Sequence, residues 1–159
     1  MPTISRPAPT RERLQLDDLT ADARFQLRQF PGGALVSEDY VLHLLELLDS
    51  GAHFEPLEVV RVVRPKKQPL HLLIDGFHRL EVLRRKGAPS ADVLVFEGTE
   101  RDAELWCLSS NARHGRQRTP QECRAAFDRL VNSPAMLDAA IAERKRYHNS
   151  TERAIAAAC

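Results

Sequence analysis

The chain has 159 residues, 43% of them apolar, enough to bury the core of one domain or of one domain and the start of another. Its 23 basic and 22 acidic side chains leave a formal net charge of +1, so no global field draws it to a polyanion and any such site must come from local clustering. Cys107, Cys123 and Cys159 are an odd number at no metal-like spacing, which argues against a disulfide scaffold or zinc module and for reduced thiols in the cytoplasm. No apolar run reaches membrane-spanning length, and the polar, proline-rich start does not read as a signal peptide, so no membrane association is expected.

Residues 1–13 lack periodicity and read as a mobile tail, followed by a short edge strand in "RLQLDDL". In "SEDYVLHLLELLDSG" Ser37 stands at an N-cap position, Glu38 and Asp39 occupy the first turn, and Val41, Leu44, Leu45 and Leu48 repeat at helical spacing before Gly51. The pattern predicts a helix. Pro56 then leads into the β-branched run "LEVVRVVR", and the charged turn "RPKKQP" joins it to "LHLLI" as a hairpin. A helix from about Phe77 to Lys86 ends at Gly87, "ADVLVFEG" supplies a further strand, and Thr99 with Asp102 opens a helix in which Trp106 and Cys107 read as core. His43, His53, His71 and His148 have no partner at ligand spacing.

Beyond this point the pattern is helical. Thr119-Pro120-Gln121-Glu122 is a capping box with proline at N1, Ser133-Pro134 repeats the signal, and Asn149 to Glu152 begins a last helix, "STERAIAAAC". That helix lacks a C-cap and is short, so the natural protein is expected to continue. The predicted class is α+β, with a helical module joined to the first domain near Arg118.

Two segments carry chemistry. In "LLIDGFHRLEVLRRKG" Gly76 directly follows a strand and precedes a helix whose free N–H groups and dipole favour an anion. His78 and Arg79 stand in that first turn, where a cation is disfavoured without an anion to offset it, and an arginine fork suits phosphate. Asp75 can orient His78 or Arg79, bind a metal, act as a base in phosphoryl transfer, or simply cap the helix while Arg79 is solvated. In "SSNARHGRQRTP" Asn111, Arg113, His114, Arg116 and Arg118 surround Gly115; the stretch reads either as a solvated interdomain linker or as a holder of nucleotide or DNA phosphates. With Arg144, Lys145 and Arg146, residues 113–146 hold eight Lys or Arg against four acids, a local excess compatible with phosphate contacts.

The order of these pieces, "FQLR", "SGAHFEPLEVV", "LIDGFHRLEVLRRKG", "EGTERDAELWCLSSNARHG" and "RTPQE", resembles the ParB/sulfiredoxin-like superfamily, and within it a ParB N-terminal domain, from about Leu14 to Pro120. The central segment looks most like ParB-like DNA-binding regulators of actinobacteria, and "NSTERAIAAAC" looks like the start of a helix-turn-helix. The resemblance implies a small mixed β-sheet flanked by helices over residues 14–117, followed by an all-helical module over 118–159.

It also implies a nucleotide site, with CTP and Mg²⁺ as the expected cofactors and no metal site built from protein alone. In partition ParB proteins the turn reads Gly-Glu-Arg-Arg, and its backbone and last arginine bind CTP phosphates. Here Gly76 and Arg79 match, Phe77 replaces the glutamate and His78 the first arginine. Gln26 and Arg28 in "FQLR" would border the pocket, and Asn111, Arg113 and His114 stand where the family has Asn-x-x-Arg. Arg116, Arg118, Arg144, Lys145 and Arg146 would contact DNA. Sulfiredoxins carry a catalytic cysteine in the equivalent turn, and Phe77 takes that place here, which excludes sulfinic-acid reduction.

The function so implied is nucleotide and DNA binding by a homodimer in partition or transcriptional regulation, with slow CTP or other NTP hydrolysis as an attached activity. An Asp-Gly-x-His-Arg turn is also similar to serine-kinase-like and nuclease branches of the superfamily. In that alternative Asp75 and His78 would be catalytic, in a Mg²⁺-dependent enzyme.

Overall fold

The computed structural model describes residues 6–28, 30–110 and 120–132. Five strands form one mixed sheet: β1 (Thr10–Gln15), β2 (Leu19–Thr20), β3 (Leu57–Val62), β4 (Leu70–Asp75) and β5 (Ser90–Gly98). Their order is β1-β5-β3-β4-β2. β3 and β4 are the expected antiparallel hairpin, β5 runs parallel to β3 and antiparallel to β1, and β2 is parallel to β4. The first strand begins at Thr10, inside the stretch read as tail, because its partner β5 is nine residues long and supplies a hydrogen-bonding edge that local periodicity cannot reveal. The two-residue β2 is below the length at which alternation is visible.

Three helices accompany the sheet: α1 (Glu38–Asp49), α2 (Phe77–Arg85) and α3 (Glu100–Ser110). The predicted starts and stops hold. Gly51 and Gly87 follow α1 and α2 with φ of +91° and +69°, the left-handed conformation glycine adopts without penalty. At α3 the Thr99 N–H donates to Asp102 Oδ2 at 2.8 Å and the Asp102 N–H donates to Thr99 Oγ1 at 3.2 Å, a reciprocal capping box. A further helix, α4 (Pro120–Asn132), opens on the proline of the second capping signal. The helices expected from Ser133 and Asn149 lie outside the described residues, and no helix among the described residues is long and apolar enough to cross a membrane.

The main core lies between the sheet and its helices. Leu57, Val59, Val60, Leu72, Leu73, Ile74 and Val93 are among the buried sheet residues, met by Phe25, Phe77, Leu80 and, from α3, Ala103 and Trp106. Burying each large side chain of this kind contributes about 1.5–3 kcal/mol. A smaller cluster of Val41, Leu44 and Val82 fastens α1 to α2. On the sheet, Arg61 of β3 ties three other strands together: it pairs with Glu12 of β1, with Glu97 of β5 at 2.8 Å, and its Nε donates to His71 Nε2 of β4 at 3.2 Å. Asp75 is the last residue of β4 and Phe77 the first of α2, so one residue, Gly76, makes the whole passage from strand to helix.

Candidate functional site

Gly76 occupies the N-cap position of α2 with φ +100° and ψ +23°. A side chain there would be strained by the backbone alone, and its Cβ would stand 2.6 Å from Leu57 Cδ2. The same missing Cβ lets the Arg79 guanidinium fold back over the turn, since that position lies only 3.2 Å from Arg79 Nη2 and 3.3 Å from Nε. Arg79 is held there on three sides. Nη2 donates to Asp75 Oδ2 at 2.8 Å, and Nη1 donates to the carbonyls of Glu55 and Pro56 at 2.6 and 2.9 Å. With about one fifth of each side chain exposed, the pair is neither a solvated surface contact nor a sealed one. Burial pushes the Asp75 carboxyl above the usual range; Arg79 opposes this, Glu58 adds to it, and the Gly76 N–H and Arg28 oppose it.

His78 takes a different part. It is buried, and its Nε2 accepts a hydrogen bond from the Ser37 N–H at 3.0 Å. Phe30 and Tyr40 meet its ring edge-on at centroid distances of 5.4 and 5.0 Å. Burial, reinforced by the charge of Arg28, lowers its pKa to about 4, so it is a neutral acceptor at physiological pH. Ser37 sits at the N-cap of α1 without a side-chain cap bond, and its N–H serves to join α1 to α2 through His78.

Gln26 is also buried and braces the neighbouring loop: its Nε2 donates to the Leu35 carbonyl at 2.6 Å, and its Oε1 accepts from the Arg28 N–H at 3.2 Å. Arg28 is thereby carried to a place from which its charge acts on both Asp75 and His78. The Arg79 guanidinium therefore lies over the turn at the start of α2 beside the Asp75 carboxylate, and the charge of Arg28 reaches the same carboxylate. Such a cradle can hold an anion of phosphate type.

This fold is found in solved structures. A pNOB8-like ParB N-terminal domain superposes with a TM-score of 0.57 at 21% identity, over 88% of this chain and 51% of that one. The C-terminally truncated chromosome-partitioning protein ParB from Caulobacter crescentus, complexed with CTP-γ-S, superposes with a TM-score of 0.52 at 13% identity, over 94% and 93% of the two chains. The chain has the ParB/sulfiredoxin-like fold. A possible regulatory protein of the streptomycin biosynthesis operon of Streptomyces griseus is 31% identical over 102 residues, and the match spans 64% of this chain and 27% of that protein's length. No family model matches the chain.

Within this ParB-like fold, Asp75, Gly76 and Arg79 come together at one turn, and the charge of Arg28 acts on Asp75 there. Gln26, Phe77 and His78 lie beneath it: Phe77 is part of the main core, and the other two are engaged in the hydrogen bonds given above. Asn111, Arg113, His114, Arg116, Arg118, Arg144, Lys145 and Arg146 lie outside the described residues. Sequence reasoning overlooked the Glu55 and Pro56 carbonyls and the neighbour Glu58. Pro56 marks the approach to β3, but nothing local shows that two carbonyls there turn towards a side chain more than twenty residues away.

Proposed function

We propose that this chain is a ParB-like nucleotide- and DNA-binding protein that acts in DNA partition or transcriptional regulation, with CTP as its preferred nucleotide. The observation that carries this reading is the Arg79 guanidinium, fixed over the left-handed Gly76 turn at the N-terminus of α2 and joined there by the charge of Arg28. The residues present fit a nucleotide's phosphates: the Arg79 guanidinium, helix amides left free in the first turn, and a turn without a Cβ. Mg²⁺ is assigned to the nucleotide's phosphates, whose charge it neutralises. The fold shared with a ParB that is complexed with CTP-γ-S and the match to a regulatory protein support the same reading. DNA contact is assigned to Arg116, Arg118, Arg144, Lys145 and Arg146, and the acting species is a homodimer.

Calorimetric titration of the chain with CTP, ATP, ADP and GTP, each with and without Mg²⁺, tests the reading against Arg79→Ala. Selective CTP binding that disappears in Arg79→Ala supports it, and no binding by any nucleotide overturns it.

One observation keeps an enzymatic reading beside it. Asp75 is a half-buried carboxylate with a raised proton affinity, adjoining two phosphate-binding groups, which suits a base in Mg²⁺-dependent phosphoryl transfer to a serine-like hydroxyl or in a nuclease. His78 adds little to that alternative, because its Nε2 is committed to Ser37. Selective binding of adenine nucleotides, with turnover abolished in Asp75→Asn, would favour the enzyme.

A further inference from the structure

Glu58 has no role in the reading above, yet the fold brings it beside Asp75. Val59 pairs with Leu73, and an unbroken ladder would set Glu58 opposite Ile74, a fully buried core residue. The register slips between Glu58 and Val59, and Glu58 becomes the partner of Asp75. Two carboxylates directly opposite each other on adjacent strands repel. The structure answers each with an arginine. Asp75 has Arg79, and Glu58 has Arg6, whose Nη1 donates to Oε2 at 2.8 Å.

Arg6 comes from the segment before β1, and its side chain is only 5% exposed. Its guanidinium lies over the Phe96 ring at 5.4 Å, and Nη2 donates to the Trp106 carbonyl. One side chain of the N-terminal arm thus touches β3, β5 and α3 at once. A buried pair of this kind is screened far less than a surface pair, so its charge reaches the neighbouring site.

We propose that Arg6 is a positioning residue for the anion site: by neutralising Glu58 it keeps Asp75 ionised, and ionised Asp75 holds the Arg79 guanidinium over Gly76. The proposal rests on the anion-site reading above and gives the N-terminal arm control over it. Arg79 from α2 bonds Asp75, Glu58 from β3 stands opposite it, the Gly76 N–H donates to it, and the charge of Arg28, from the loop after the 3₁₀ turn at Ala23–Phe25, also acts on it. Without Arg6 two carboxylates share that space, and proton uptake by Asp75 relieves them. A partner that draws the arm away would act on the site in the same manner.

The test uses the full chain as Arg6→Ala, Glu58→Gln and the double variant, with Arg6→Lys as the charge-retaining control. The carboxyl carbon of Asp75 is followed by NMR against pH without ligand, and inorganic pyrophosphate binding is measured by calorimetry near pH 6 and near pH 8. Arg6→Ala raises the Asp75 midpoint by at least about half a pH unit and weakens pyrophosphate about three- to tenfold near pH 6, with a smaller loss near pH 8. The double variant and Arg6→Lys return both towards wild type, a recovery that mere loss of packing would not show. An unchanged Asp75 midpoint in Arg6→Ala, or a double variant no better than Arg6→Ala, overturns the proposal. If Arg6→Ala does not fold, Glu58→Gln decides alone: the Asp75 midpoint falls if Glu58 acts on it, and an unmoved midpoint overturns the coupling. Failure of the wild-type chain to bind pyrophosphate overturns the anion-site reading, while the NMR titration separately decides whether Arg6 acts on Asp75.

Discussion

Asp75, at the end of β4, and Arg79, in the first turn of α2, close over Gly76, with Arg79 Nη2 donating to Asp75 Oδ2 at 2.8 Å. Because Arg79 is also held by the Glu55 and Pro56 carbonyls, its guanidinium is ordered before any ligand arrives, and less freedom remains to be lost on binding.

Asp75→Asn separates binding from catalysis at this turn. An Asn oxygen can still accept from Arg79 but no longer holds it by charge, so the variant is expected to weaken nucleotide about three- to tenfold and to lose no more than about 1–2 kcal/mol of stability. In a phosphoryl-transfer enzyme the same change lowers turnover by about a hundredfold or more while nucleotide is retained. Calorimetry and a phosphate-release assay on one preparation read both.

Gly76→Ala meets a left-handed backbone and the Leu57 side chain together. The strain and the clash are expected to destabilise the chain by about 1–3 kcal/mol, read as a lower urea midpoint at unchanged m-value. Ala at Gly87, also left-handed but with nothing within 4 Å, is expected to lower stability less.

The protein is expected to lose stability in acid through His78. Its folded-state pKa of about 4 lies below the ordinary value of 6.5, so its contribution is complete above about pH 6.5 and fades as pH falls towards 4. The loss amounts to about 3 kcal/mol by pH 4. Denaturation midpoints across this range check the slope, which His78→Gln should flatten while retaining an acceptor for the Ser37 N–H.

Thr99→Ala removes one side of the α3 capping box. A fall in stability of about 1 kcal/mol is expected, with the fastest amide exchange appearing in the first turn of α3.

The chain is expected to bind duplex DNA weakly, without sequence preference, and with affinity that drops steeply as salt rises. Neutralising any one of Arg116, Arg118, Arg144, Lys145 and Arg146 should make the slope of log affinity against log salt shallower by about 0.9, the share of a single phosphate. A salt-insensitive affinity would count against the DNA role assigned to these residues.

Local signals determined much of the molecule. Caps, glycines and helical spacing placed α1, α2 and α3, β-branched runs placed the hairpin, and the strand-Gly-helix passage singled out Asp75, Gly76 and Arg79, because each depends on residues within a few positions of one another. Tertiary structure decided the rest. β2 exists only because β4 offers it an edge; His78 is a buried link to Ser37 because the loop before α1 folds over it; and Glu58 reaches Asp75 through a register slip that brings Arg6 with it. These pairings join residues some twenty to fifty positions apart, and whether a polar side chain there meets water or a partner is settled by which surfaces the packed sheet and helices close, not by the spacing of its neighbours along the chain.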